Sequence, residues 1–377
     1  EHNYGCVYMQ TAPRLAANAL DLERRGITLL SPVFDLDFGQ EAMASAMLGV
    51  GKQLGIPKPR CLPALLSGAK AVRRHTAAVE KQGQELLASL RPDDKVLVLI
   101  TRNYGLSDPV LNMGIPRLLL ERGHKVITLS HLPAHDLDLS EDYPNLYWPF
   151  GQHILSGAKL VAHHPNLYAV YLTNHGCGPD TMLSYLFRKE MGDKPYLQIE
   201  VDEHFSPVGV ITRIEAFLQS LEGRPAQPLP AGFSLAAVVR RPTAVAAVPE
   251  RTGGPLLVPD LPPFTAYLRA YCEAAWKTET RTLRLDSTTL PLGRAETSSK
   301  EYLPFPALLG GILTAAEAES GPFQVLLPST QGAEADGQYP WGVETVLERQ
   351  GLCRVKVIAP ELETLPERCP EPDLLFR

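Results

Sequence analysis

The sequence lacks several things, and each shortage removes a class of protein. No apolar run approaches the ~18 residues that a membrane-spanning helix needs, so a helical membrane protein is excluded. There is no surplus of positive charge. Lys and Arg number 36 against 42 Asp and Glu, a net charge of −6 with both signs interspersed. Such a chain has no basic field to neutralise phosphates, and nucleic acid is not an expected partner. Its six cysteines are too few and too scattered for a disulfide-stapled miniprotein, and none forms the close pairs of zinc fingers or ribbons. There is no phosphate-binding Gly-Lys-Ser/Thr motif and no dinucleotide fingerprint. Arg102-Asn-Tyr-Gly-Leu-Ser-Asp-Pro109 offers one glycine only, so no ATP or NAD site is expected in this chain. Histidine is absent after His204, although there are ten in all. No secretory leader is visible in Glu1-His2-Asn3-Tyr4, which makes a cytoplasmic, thiol-reducing compartment the expectation. The chain starts without Met and stops at Leu374-Leu375-Phe376-Arg377, and is read as part of a longer protein.

What is present points to an α/β protein: tandem doubly wound, Rossmann-like parallel-sheet units behind a helical N-terminal segment. Apolar runs at Lys95–Ile100, Lys125–Ser130, Leu167–Leu172 and Tyr196–Val201 have the composition of strands covered on both faces. Helical stretches fit between them at 110–122, 151–163, 180–191 and 207–221. Residues 1–94 read as mainly helical, best over 40–54 and 61–90, after a short strand-turn at Cys6–Met9, and as packing on the first unit at 95–222. Residues 223–254 are a Pro/Ala-rich linker. A second α/β unit follows at 255–377, with strands near 256–258, 281–285, 323–327 and 355–359. Its helices fall near 264–276, 303–317 and 340–350.

Ligands of open α/β sheets sit at the carboxyl ends of strands, so the loops there carry the candidate residues. In Thr173-Asn-His-Gly-Cys-Gly-Pro-Asp180, Gly176 and Gly178 free the backbone around Cys177, whose place at a helix N-terminus favours thiolate. Metal or cluster ligation and a buried structural thiol both fit. After the fourth strand, Asp202-Glu203-His204 and Arg213 can brace the Cys177 loop, form an acid/base set or hold a metal. His175, Glu203 and His204 are the candidate acid/base groups. Cys6 follows a glycine as Cys177 does, and Cys61 stands at a helix start. His131 and His135 are four apart but separated by Pro133, with no His-Glu-x-x-His pattern.

Four blocks carry a resemblance: Arg102-Asn-Tyr-x-x-x-Asp-Pro-x-x-Asn112-x-x-Ile-Pro116, Tyr147-Trp-x-x-Gly-Gln152, Thr173-Asn-x-Gly-Cys-Gly-Pro-Asp180, and Asp202-Glu-His-x-x-x-x-Gly209-x-x-Thr-Arg-x-Glu-Ala-Phe217. They resemble the long CoA-enzyme-activase-related proteins, in which ATPase activator domains are fused to parts akin to the 2-hydroxyacyl-CoA dehydratase D-component and benzoyl-CoA reductase family. The resemblance implies a [4Fe-4S] cluster, one at most in this chain, fed low-potential electrons by an ATP-dependent activator domain of the same polypeptide. It implies an acyl-CoA or another small molecule as substrate, of the dehydratase or reductase type, in anaerobic metabolism. Cys6 and Cys177 fall at positions similar to family ligands, with Cys61 as a substitute for a third; Asn174, His175 and Tyr104 would line the site. Lys300-Glu-Tyr-Leu-Pro304 looks like the family's Lys-Glu-Cys-Leu-Pro with Tyr302 for Cys, and Glu334 likewise stands for Cys in Gly332–Tyr339. A cluster-less second unit is expected. A non-catalytic scaffold with a decayed cluster site and a zinc hydrolase built on the histidines are the alternatives, and a homodimer is left open.

Overall fold

A computed structural model describes residues 5–360 apart from 35–37, 138, 140–141, 144–145, 203, 205, 225–237, 239–252, 299 and 330–333. Among these, two four-stranded sheets are parallel throughout. β1 (Val96–Ile100), β2 (Lys125–Thr128), β3 (Leu167–Asn174) and β4 (Leu197–Val201) lie in the order β2-β1-β3-β4. β5 (Leu256–Pro259), β6 (Thr280–Leu283), β7 (Phe323–Leu326) and β8 (Val355–Ile358) repeat it as β6-β5-β7-β8. Each sheet therefore reverses direction at its first strand, leaving a crevice beyond the carboxyl ends of β1 and β3 in one and of β5 and β7 in the other. The α/β class expected from the apolar runs is the fold the chain adopts.

Strand residues alternate between two cores, as period-two side chains must. Leu97, Leu99, Val170 and Ile199 face α5 (Ile115–Glu121) and α8 (Pro207–Leu221). Val96, Val98, Ile100 and Tyr171 face α6 (Pro149–His163) and α7 (Gly178–Met191). In the second sheet, Leu256 and Val258 pack on α9 (Phe264–Trp276). Its other face, with Leu257, Val325 and Val357, lies against α11 (Pro304–Ala318) and α12 (Tyr339–Arg349), behind the short α10 (Leu290–Ala295). The core under α6 and α7 is continuous with the core under α11 and α12. Phe305 is fully buried between Tyr185 and Tyr339, with ring centroids at 5.6 and 5.3 Å, and a Cβ on Gly342 would come within 2.7 Å of Met182 Cε. The second unit is thus fused to the first through a shared helical layer.

The N-terminal segment consists of α1 (Val7–Ala19), α2 (Gly39–Gln53) and α3 (Lys58–Ala88). The strand-turn expected at Cys6–Met9 is instead the start of α1, because the Ala-rich stretch that follows favours helix over the few β-prone residues before it. α3 docks on the first unit through Gly83, where a Cβ would lie 2.0 Å from the His131 carbonyl oxygen. Of the helix expected over 110–122 only α5 forms, from Ile115; the residues before it are turns, with Met113 and Gly114 at positive φ, and the short α4 (Asn103–Ser107) lies outside the expected range. α10 was not anticipated. Most of the expected linker, and Cys369, lie outside the described residues.

Candidate functional site

The first crevice is built from the ends of β1 and β3. Two residues after the wholly buried β1, Arg102 turns inward with 7 % of its side chain exposed. Its Nε and Nη2 donate to Asp180 Oδ1 at 3.0 and 2.8 Å, and Nη2 also donates to Cys177 Sγ at 2.8 Å. The guanidinium lies over the Phe150 ring, 4.1 Å from its centroid, so three neighbours fix one cation. Asp180 Oδ2 accepts from the Asn174 backbone N–H and side-chain amide, both at 2.9 Å. The same amide reaches the Tyr104 hydroxyl at 3.0 Å. Gly176, at φ 64°, supplies the left-handed turn that brings Cys177 to the N-cap of α7, where its sulfur accepts the Asp180 N–H. The helix start favours thiolate, yet burial outweighs it. Burial, then the charge of Asp180, pushes the Cys177 thiol up to about 12 against the opposing pull of Arg102.

Two more segments approach this thiol. Cys6, the buried N-cap of α1, is close enough for its charge to act on Cys177. From the second unit, the Tyr302 ring lies on Gly178, where a Cβ would meet it at 2.7 Å. The Tyr302 phenol is raised by burial, then by the charges of Tyr8, Cys177 and, more weakly, Glu334. Tyr302, one of the two positions where the resemblance expects a cysteine in the second unit, therefore lies beside the Cys177 loop. Cys61 is elsewhere: its thiol packs against Gly51 in the α2–α3 corner and donates to the Ile56 carbonyl at 3.7 Å.

The remaining candidates sit around the rim. His175 pairs with Glu200 on β4, and Glu200 also pairs with Lys300 of the second unit. The His175 backbone N–H donates to the Val201 carbonyl at 3.0 Å, so these bonds tie the Cys177 loop to β4. Asp202 accepts the His204 backbone N–H at 3.0 Å in an exposed turn, and Arg213 is exposed on α8. Glu203 lies outside the described residues. Beside the thiol centre, a polar cleft of about 510 Å³ opens between the units, lined by Asn174, Ser184, Arg188, Glu200, Lys300 and Glu301 among others. Arg102, Asp180 and Glu200 had no assigned role at the sequence level. The available signal was a charged residue two positions after an unbroken apolar strand, close to the sheet end.

Among the described residues the histidines do not converge on one metal site. His131 Nδ1 bonds Thr128 in a local cap, whereas His135 stacks on His153 at 4.0 Å. Among the described residues, no three His, Cys, Asp or Glu side chains form a group that could hold a metal. Burial, helped by the charge of His135 on His153 and of Lys194 on His164, holds both His153 and His164 down at about 4. Below the ordinary value of 6.5 the unfolded chain takes up protons that these folded imidazoles refuse, so stability falls as pH drops from 6.5 towards 4. Each histidine is expected to contribute about 2 kcal/mol to the loss between pH 7 and 4.5. Urea unfolding at both pH values checks it: His153→Gln or His164→Gln should flatten the dependence, and an unchanged slope would refute the assignment.

Residues 1–132 match the family described as CoA enzyme activase uncharacterised domain (DUF2229), which makes that third of the chain CoA-enzyme-activase-related. No curated protein and no solved structure matches the chain. No helix among the described residues is long and apolar enough to cross a membrane.

Proposed function

From a chain whose first 132 residues are CoA-enzyme-activase-related, we propose an iron–sulfur redox component that accepts low-potential electrons from an ATP-dependent activator and acts on an acyl-CoA or other small oxidised substrate. One observation carries this reading. Two cysteines far apart in sequence, Cys6 and Cys177, each stand at a helix N-cap and lie near enough for the charge of one to act on the other, and Cys177 accepts from the buried cation Arg102.

The donor set suits iron in part. Thiolates are the usual ligands of such clusters, and two helix N-termini with a guanidinium offset the negative charge that a thiolate-bound cluster carries. Two thiolates are fewer than a [4Fe-4S] cluster normally takes, and on the facing side stands a phenol, Tyr302. When bound, the cluster would supply one-electron reduction and, at an iron without a protein ligand, a Lewis acid. The chain's own contribution is positional. Arg102 holds the Cys177 sulfur and balances its charge, and Asp180 fixes Arg102 and Asn174. Phe150 covers the Arg102 guanidinium, the Tyr302 ring covers Gly178 next to the thiol, and the polar cleft would admit a substrate from between the units.

Anaerobic reconstitution with iron and sulfide tests this. The wild-type chain should gain thiolate-to-iron absorbance and bound iron; Cys6→Ser and Cys177→Ser should each lower both, and Cys61→Ser should leave them unchanged. Iron retained undiminished by the Cys6→Ser/Cys177→Ser pair would remove these residues from the site. Tyr302 and Glu334, occupying expected cysteine positions, favour a second reading, a scaffold that has lost its cluster. Wild-type protein that takes up no iron under these conditions would establish that reading over the first.

A further inference from the structure

The polar cleft of about 510 Å³ beside the thiol centre is within the size range of small-molecule sites, and its lining decides what it can hold. Four carboxylates and three cations line it, and nearly all are already paired. Glu200 takes Lys300 and His175, and Glu296 takes Arg349 and the Gln350 amide. Glu301 accepts the Tyr185 hydroxyl at 2.6 Å and the Ser298 hydroxyl at 2.8 Å, and Asp180 is held by Arg102. The third cation, Arg188, is exposed, where a single charge gains little in water.

A phosphate group asks for free cations or for the free N–H groups of a helix N-terminus. The cleft borders the start of α7, but those donors are taken. The Gly178 N–H goes to the Tyr302 phenol, Pro179 has none, and the Asp180 and Thr181 N–H groups go to the Cys177 sulfur and carbonyl at 3.4 and 3.0 Å. The pyrophosphate and ribose phosphate of coenzyme A would lose water here without a counter-charge in exchange. An ammonium fares no better, since each carboxylate already accepts from a neighbour. Between the pairs the lining adds hydroxyls and carboxamides: Thr173, Thr181, Ser184, Gln198, Thr297 and Gln350. Such groups both donate and accept, as do the hydroxyls of a sugar.

We propose that the cleft binds a small uncharged polyhydroxy molecule of sugar size and excludes the phosphates of coenzyme A. This rests on the redox reading above, in which it selects the small substrate over the acyl-CoA.

Pyranoses of one frame and different charge test it on the full chain without iron: glucose, glucosamine, glucuronate and glucose 6-phosphate, compared by saturation-transfer NMR at low salt. Glucose should bind tightest and glucose 6-phosphate about tenfold more weakly, with glucose insensitive to salt and not displaced by free coenzyme A. Gln198→Leu, which removes a carboxamide from the lining, should weaken glucose. Because a substitution on β4 can disturb folding, Thr297→Arg at a partly exposed position of the second unit serves as a second variant. It adds a free cation and should bring glucose 6-phosphate level with glucose. A charged pyranose that binds wild type as tightly as glucose, displacement of glucose by coenzyme A, no transfer to glucose, or an unchanged order in Thr297→Arg would overturn the proposal. None of these outcomes depends on iron uptake at Cys6 and Cys177, so the cleft and the cluster can fail separately.

Discussion

Replacing Arg102 by methionine is expected to destabilise the fold by about 3–5 kcal/mol, because it leaves the Asp180 carboxylate buried without its partner. Both side chains are nearly inaccessible, at 7 % and 3 % exposure, so solvent cannot take over the lost hydrogen bonds. Asp180→Asn should cost less, since its amide oxygen can still accept from Arg102. Joining the two substitutions removes both charges, and the pair should be milder than the sum of the singles by about 2 kcal/mol or more. Urea unfolding of the four proteins measures this coupling. Strict additivity would mean that Arg102 acts through Phe150 and Cys177 alone. The result also bears on function, since the guanidinium that balances Asp180 is the one that contacts the Cys177 sulfur.

Phe305→Ala carries the second large effect, about 3–5 kcal/mol from lost burial and the cavity left behind. More informative than its size is where the loss appears. Phe305 belongs to the second unit but packs on Tyr185 of the first. The substitution should therefore lower the unfolding midpoint of both units together. Trp148, fully buried in the first unit, and Trp341, in the second, allow each to be followed after the other tryptophans are replaced by Phe. If the Trp148 signal keeps its wild-type midpoint while that of Trp341 falls, the units are independent and the shared core is not cooperative.

Much of this architecture is legible in the sequence because it depends on local chemistry. The unbroken apolar runs of β1 and β3 can only be strands covered on both faces, and α8 begins and ends at the residues its spacing indicates, Pro207 and Leu221. Where local preference is weak or divided, reading fails. Val-Tyr-Met after Cys6 suits strand or helix, and the choice falls to the alanines further on. Met113 and Gly114 hold the helix expected from 110 back to Ile115 through backbone angles that periodicity does not reveal. The thiol centre is half legible. Cys177 between two glycines stands out, whereas the partnership of Arg102 with Asp180 needs two strand ends to be neighbours. The arrival of Tyr302 over Gly178 depends on how two sheets dock, which no spacing within either unit encodes.

The layer shared by α7, α11 and α12 also sets an order of assembly. During synthesis α7 is complete at Met191, but Phe305 and Gly342, which close over it, are made more than a hundred residues later. At ordinary ribosomal rates that interval is on the order of ten seconds. Throughout it the first unit has paired strands and one apolar helical face with no neighbour, the condition in which nascent chains aggregate or recruit chaperones.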